Sequence, residues 1–251
     1  MMFLSNKETA LEVLKLGEAK MQYSNLKTII LGFLGGAYIG LAALGYLIAY
    51  YRIGGGLGAF IGACIFPTGL MLCVLVGGSL FTGDCLAFLA LMKRKFTTSL
   101  FITKLIFVWI GNVFGAFFIA LVSFFGGSYK DLGFSEFIVN ICDSKLHLGF
   151  FEAICSGFLC NALVAIGVWF ALASKSLEGK ILAIFFPVML FIVGGFQHIV
   201  ANMYYLSVGI LLDISIFSFS TLSLHLLAVS IGNFLSGAIF LPIMYYFGLL
   251  K

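Results

Sequence analysis

The sequence predicts an all-α integral membrane protein, with six transmembrane helices in an inverted 3+3 repeat whose second and fifth helices are broken. Three observations carry this expectation. Hydrophobic residues fill 62% of the 251 positions and charged residues only 10%, too few to coat a water-soluble domain of this size. Apolar runs of about 20 residues recur, and a backbone in lipid must satisfy its own hydrogen bonds, as a helix does. Two of those runs are interrupted alike, at Gly77-Gly78-Ser79-Leu80-Phe81-Thr82-Gly83-Asp84 and at Gly194-Gly195-Phe196-Gln197-His198-Ile199-Val200-Ala201-Asn202-Met203. Each break is a glycine pair followed by bulky apolar residues and groups that hydrogen-bond.

The first domain, residues 1–25, sets Lys7, Glu8, Glu12, Lys15, Glu18 and Lys20 among Leu4, Leu11, Val13 and Leu14. That spacing predicts an amphipathic cytoplasmic helix, either lying on the membrane or simply solvated. It lacks the uncharged apolar core of a secretory signal. Residues 26–251 form the membrane domain, with spans expected at 27–50, 57–92, 98–126, 149–173, 180–210 and 221–248.

With the N-terminus inside, the cytoplasmic side holds Lys7, Lys15, Lys20, Lys27, Lys93, Arg94, Lys95, Lys175, Lys180 and Lys251. The opposite side holds Arg52, Lys130 and Lys145. This asymmetry places both termini in the cytoplasm. Lys104, about two turns into the third span, is expected to snorkel to the same side. The net charge of +4 is read as membrane orientation and not as affinity for nucleic acid. Six cysteines stand at 64, 73, 85, 142, 155 and 160 with no C-x-x-C pair. Five fall in spans as small hydrophobes and Cys142 in a loop, so neither a disulfide framework nor a metal site or other cofactor is expected.

The first and fourth spans start 122 residues apart, the third and sixth 123, and the glycine pairs 117. Three spans per half is an odd number, so the second half enters the membrane inverted. Discontinuous helices at matching positions then point to a transport site near the midplane. A half-helix that begins there turns unpaired N–H groups and a positive dipole end into the gap, which favours an anion. Carbonyl ends of the preceding half-helices partly cancel the effect. Asp84 is read as an N-cap of the half-helix that it opens.

His198 is the one histidine placed deep in the bilayer. A charged imidazole is costly there, so it is expected to rest neutral and to exchange a proton with an anion beside it. His147 is read as a loop residue and His225 as packing early in the last helix. Small-residue stripes at Gly32, Gly36 and Gly40 and at Gly54, Gly58 and Gly62 let helices approach closely, within or between protomers.

The run Val74-Leu75-Val76-Gly77-Gly78-Ser79-Leu80-Phe81-Thr82-Gly83 resembles the first signature of the formate/nitrite transporter family, and Phe196 to Met203 resembles its central histidine motif. The resemblance implies aquaporin-like protomers in a homopentamer, each with a narrow pore, in a bacterial cytoplasmic (inner) membrane. It implies an outer constriction at Phe66 and Phe191 and an inner one at Leu70 and Leu80. Between them it places His198 and Thr82, which bind the substrate and lend it a proton. Asn161, Asn202 and Gln197 support the histidine, and Lys145 attracts anions to the outer mouth.

Two positions depart from the pattern. Gln197 stands where formate and nitrite members carry glutamate, and Gly157 to Ala165 fits the second signature only in part. The likeness runs toward the hydrosulfide channel branch, so the expected substrates are hydrosulfide first and formate with it. Formate or nitrite transport with a proton is the alternative. A neutral-solute channel of aquaporin type is more distant, because Asn-Pro-Ala pairs are missing. No enzyme is expected: the one buried histidine has no partnered nucleophile or carboxylate.

Overall fold

A computed structural model describes residues 3–251; Met1 and Met2, at the start of the predicted N-terminal helix, lie outside the described residues. Helix α1 (Asn6–Met21) opens with a reciprocal cap, Ser5 accepting from the Glu8 N–H while the Glu8 carboxylate accepts from the Ser5 N–H at 2.8 Å. Its buried face of Ala10, Val13, Leu14, Gly17 and Met21 packs on the body of the protein. A Cβ at Gly17 would stand 2.9 Å from Ala87 Cα. The protein's own helices therefore take up the apolar stripe of α1.

The remaining helices are α2 (Asn25–Ile53), α3 (Gly55–Gly77), α4 (Phe81–Met92), α5 (Thr98–Phe125), α6 (Leu132–Leu146), α7 (Phe150–Ala173), α8 (Leu177–Val193), α9 (Ile199–Leu212) and α10 (Phe219–Leu250). Side chains of Ser24, Thr97, Asp131, Ser176 and Ser218 cap α2, α5, α6, α8 and α10, which fixes where each begins. Helices α2, α3, α5, α7 and α10 are long and apolar enough to cross a membrane. The two broken spans appear as α3 with α4 and as α8 with α9. Pro67 interrupts the α pattern of α3, whose last turn, Cys73–Gly77, is a π-helix, and Pro187 lies inside α8.

Three expectations are corrected. Residues 132–146 are helical, and Cys142 lies on that helix, buried with Phe134 and Ile138 at helical spacing; its Sγ donates to the Tyr205 carbonyl at 3.1 Å. Helix α6 escapes a search for apolar runs because Ser135, Glu136, Asn140, Asp143, Ser144 and Lys145 dilute it. Lys104 is buried and does not reach the surface. Its ammonium donates to Asn25 Oδ1 at 2.8 Å and to the Tyr23 carbonyl, clamping the turn from α1 to α2. Asp84 caps no helix, as described below.

Gly32, Gly36, Gly40, Gly58 and Gly62 of the glycine stripes pack within the chain, and Gly54 faces open space. A Cβ at Gly32 would stand 2.8 Å from the Val108 carbonyl oxygen of α5, and one at Gly58 would stand 2.6 Å from that of Tyr50 on α2. Large apolar side chains are left outside, among them Phe118, Phe125 and Phe186 at 48%, 81% and 58% exposure. A surface of that kind suits lipid or a neighbouring subunit.

Candidate functional site

Each break turns on one glycine with positive φ, Gly77 at +115° and Gly195 at +69°, a conformation that other residues adopt only under strain. The helix after each break then begins inside the protein, and one buried asparagine meets its first N–H. The Phe81 N–H donates to Asn112 Oδ1 at 2.9 Å, while Asn112 Nδ2 donates to the carbonyls of Gly32 at 2.7 Å and Ser79 at 2.8 Å. In the second half the Ile199 N–H donates to Asn233 Oδ1 at 2.9 Å, and Asn233 Nδ2 donates to the carbonyls of Gly157 at 2.7 Å and Gln197 at 3.0 Å. Both asparagines are fully buried.

Neither residue stands out in the sequence. The signal that could have found them is the tripeptide Ile-Gly-Asn, which ends at 112 and again at 233, a separation of 233 − 112 = 121 that matches the repeat. Asp84 lies three residues beyond the start of α4 and, buried itself, forms an ion pair with the part-exposed Lys20 of α1. The half-helix already has its cap from Asn112, which leaves the carboxylate free for that cation.

His198 caps α9 from its own side chain, with Nδ1 accepting from the Ala201 N–H at 3.2 Å. An accepting Nδ1 carries no proton, so the neutral ring holds its hydrogen on Nε2 and donates it to Thr82 Oγ1 at 3.1 Å. The two breaks are joined by this one hydrogen bond between side chains.

A cavity of about 400 Å³ opens on the α1 side and is lined by Leu70 and Leu80 together with Lys20, Lys27, Asp84 and Lys180. A second, of about 130 Å³, opens on the α6 side and is lined by Tyr46, Lys145, Phe191, His198, Asn202 and Tyr205. Two short bridges connect them. One turn of α3 leads from Leu70 to Phe66, whose ring meets Phe191 edge to face with centroids 5.7 Å apart. Two residues lead from Leu80 to Thr82 and its bond to His198. The His198 ring in turn lies 5.6 Å from that of Phe191. Phe66, Leu70, Leu80, Thr82, Phe191 and His198 are all buried.

The three residues expected to support the histidine make no hydrogen bond to its ring. Asn161 Nδ2 donates to the Thr82 carbonyl at 3.2 Å and to that of Asn233 at 2.7 Å, holding the partner of the histidine in place. Lys145 Nζ donates to Gln197 Oε1 at 2.9 Å, and Asn202 Nδ2 donates to the same oxygen at 3.0 Å. Asn202 Nδ2 also meets His225 Nε2 at 2.9 Å, so His225 belongs to a polar network and not only to packing. Lys145 is half-buried on α6, outside the spanning helices, with Tyr205 beneath its ammonium at 5.2 Å. Burial pushes its ammonium down to about 8. Among the described residues, no group of three His, Cys, Asp or Glu side chains could hold a metal ion.

Residues 7–247 match the family model described as "Formate/nitrite transporter". The chain belongs to the formate/nitrite transporter family. One relative is the formate channel BtFdhC of Bacillus thuringiensis, 33% identical over 98% of this chain and 96% of that protein. Two solved structures share the fold. One, described as "FNT family ion channel", superposes with a TM-score of 0.90 at 23% identity, covering 96% of this chain and 98% of its own. The other, described as "Pentameric formate channel with formate bound", superposes with a TM-score of 0.76 at 24% identity, covering 90% and 98%. Family members of this kind are channels and transporters, not enzymes.

Proposed function

We propose that this formate/nitrite transporter family member conducts small monovalent weak-acid anions, formate first, through a path in each protomer of a homopentamer. The observation that carries the reading is the single Thr82–His198 hydrogen bond between two cavities that each present lysine side chains. Lysines at both mouths raise the local anion concentration. The buried rings of Phe66 and Phe191 and the side chains of Leu70 and Leu80 act as apolar constrictions that strip water and reject cations. Formate is supported by the name of the BtFdhC relative, and the pentamer by the likeness to a solved pentameric formate channel.

His198 works in this path as a neutral donor. Its Nε2–H serves Thr82 or a passing anion, and lending a proton outright requires a second proton on Nδ1, which the Ala201 cap occupies. Hydrosulfide and nitrite remain in the same class of small monovalent weak-acid anions, and Gln197 in place of a carboxylate keeps hydrosulfide in the comparison. The orientation that the lysine asymmetry of the loops supports sets Lys145 outside and α1 in the cytoplasm of a bacterial cytoplasmic membrane.

Proteoliposomes test the reading. Uptake of formate, hydrosulfide, nitrite and chloride is followed in parallel, with water and glycerol as controls. Passage of formate with exclusion of chloride is expected, and the relative rates rank the substrates. Passage of water or glycerol with no anion flux would overturn it.

A further inference from the structure

We infer that His225 is a proton-operated positioning residue, which turns the amide of Asn202 at the α6-side cavity and so couples acid on that side to anion uptake. The inference rests on the reading of that cavity as an anion entrance. Hydrogen-bond polarity along one chain of side chains carries it. Lys145 can only donate, so Gln197 presents its oxygen to Lys145 at 2.9 Å. That oxygen also accepts from Asn202 at 3.0 Å, which fixes the Asn202 amide with its nitrogen toward Gln197. The second hydrogen of the same nitrogen points to His225 Nε2 at 2.9 Å. Nε2 must therefore accept, and neutral His225 carries its hydrogen on Nδ1.

Two buried atoms of this chain have no partner in that state, Asn202 Oδ1 and His225 Nδ1. A proton added at Nε2 sets an N–H against the Asn202 NH2 group. Rotating the amide by half a turn relieves the clash and gives the idle Oδ1 a donor. The turn replaces the donor at Gln197 Oε1 by an oxygen, which parts Asn202 from the Gln197 carbonyl held by Lys145, and aims the NH2 group where Oδ1 had been. Asn202 lines the α6-side cavity beside Lys145 and His198. Protonation of His225 thus adds a positive charge behind the cavity wall and converts an amide acceptor to a donor. Both changes favour an anion.

The helices packed on this part of α10 carry few other ionisable groups. Helix α6 has Glu136, Cys142, Asp143 and Lys145; α7 has Glu152, Cys155 and Cys160; α9 has Tyr204 and Tyr205. Glu152 and Cys155 are exposed, and Lys145 is linked to the His225 ring through Gln197 and Asn202.

The test uses His225→Gln, whose side-chain oxygen can accept from Asn202 without titrating. Magic-angle-spinning NMR of the full chain in liposomes, with labelled histidine and asparagine, is recorded from about pH 8 to about pH 4. The Asn202 side-chain amide signals are expected to shift with the same midpoint as the His225 ring, and to stay fixed in the variant. A static Asn202 amide, or a His225 that stays neutral over this range, overturns the inference whether or not any anion is transported. In proteoliposomes the ratio of variant to wild-type formate uptake is expected near one at the alkaline end. It should fall by about fivefold at the acid end, the low end of coupling between linked sites. An unchanged ratio across the series, with formate flux present in both, also overturns it. Absence of flux in both proteins would count against the proposed function, and the NMR result would still decide the role of His225.

Discussion

At the scale of single residues, two histidines do different work because their hydrogen-bond partners differ. His198 is held between the Ala201 N–H and Thr82 Oγ1, so one nitrogen is spent on a helix cap and the other faces the second break. His198→Gln keeps a donor toward Thr82 and removes the titratable ring. If His198 acts as a neutral donor, formate flux in that variant should stay within about tenfold of wild type, with His198→Ala slower by a further factor, since one hydrogen bond is worth about 1 kcal/mol. Proteoliposome uptake of both variants reads this directly, and a Gln variant as dead as the Ala variant would point back to proton lending. The capping asparagines make the complementary case. Asn112→Ala strands the Phe81 N–H and takes a donor from the Ser79 carbonyl, each at a cost of about 1–3 kcal/mol, and removes the second donor of the Gly32 carbonyl within α2. A lower melting temperature in detergent is expected for Asn112→Ala and equally for Asn233→Ala, because the two sites make the same set of bonds.

Among elements, α2 and α5 approach closely where Gly111 of α5 lies against the backbone of α2. A Cβ at Gly111 would stand 2.6 Å from the Ile29 carbonyl oxygen and 2.9 Å from Gly32 Cα. Backbone cannot yield as a side chain can, so Gly111→Ala must push the helices apart. A loss of about 1–3 kcal/mol is expected, with displacement of the adjacent Asn112 cap. Gly195→Ala is the control. Nothing lies within 4 Å of a Cβ there, and its cost of about 1–2 kcal/mol comes from the positive φ alone. Thermal melting followed by size-exclusion chromatography compares the two, and equal losses at both sites would count against the close-packing account. Helix α1 is joined to the first break through the ion pair of Lys20 with Asp84.

For the whole molecule, the electrostatic prediction concerns the alkaline limb. Burial pushes Lys145 down to about 8, so its ammonium is charged below that pH and is lost as pH rises through it. Formate stays ionised throughout this range. Uptake from the α6 side is therefore expected to fall across about pH 8 in the wild type and to be flat there in Lys145→Met, at a lower rate. Initial rates against pH check both the limb and its absence. Native mass spectrometry of the purified protein is expected to show five chains of 27.2 kDa, the assembly proposed from the likeness to a solved pentameric formate channel. A dominant monomer in every mild detergent would argue against it.

Fold class was legible in the sequence because lipid imposes a rule on every residue at once: apolar runs must be helices, and a polar break within one must be built for a purpose. The paired breaks, the repeat and His198 all follow from that rule. Helix α6 did not, since a half-polar helix too short to span is held by contacts from other helices, Cys142 to α9 and Phe134 and Phe137 to Tyr51 and Tyr50 of α2. Tertiary structure alone decided which side chains cap the half-helices, because Asn112 and Asn233 reach their targets across the bundle and not along the chain. It also moved Asp84 from a cap to an ion pair with Lys20. The wiring of Lys145, Gln197, Asn202 and His225 was likewise hidden, for a hydrogen bond depends on position and direction in space, and neither is written in the order of residues.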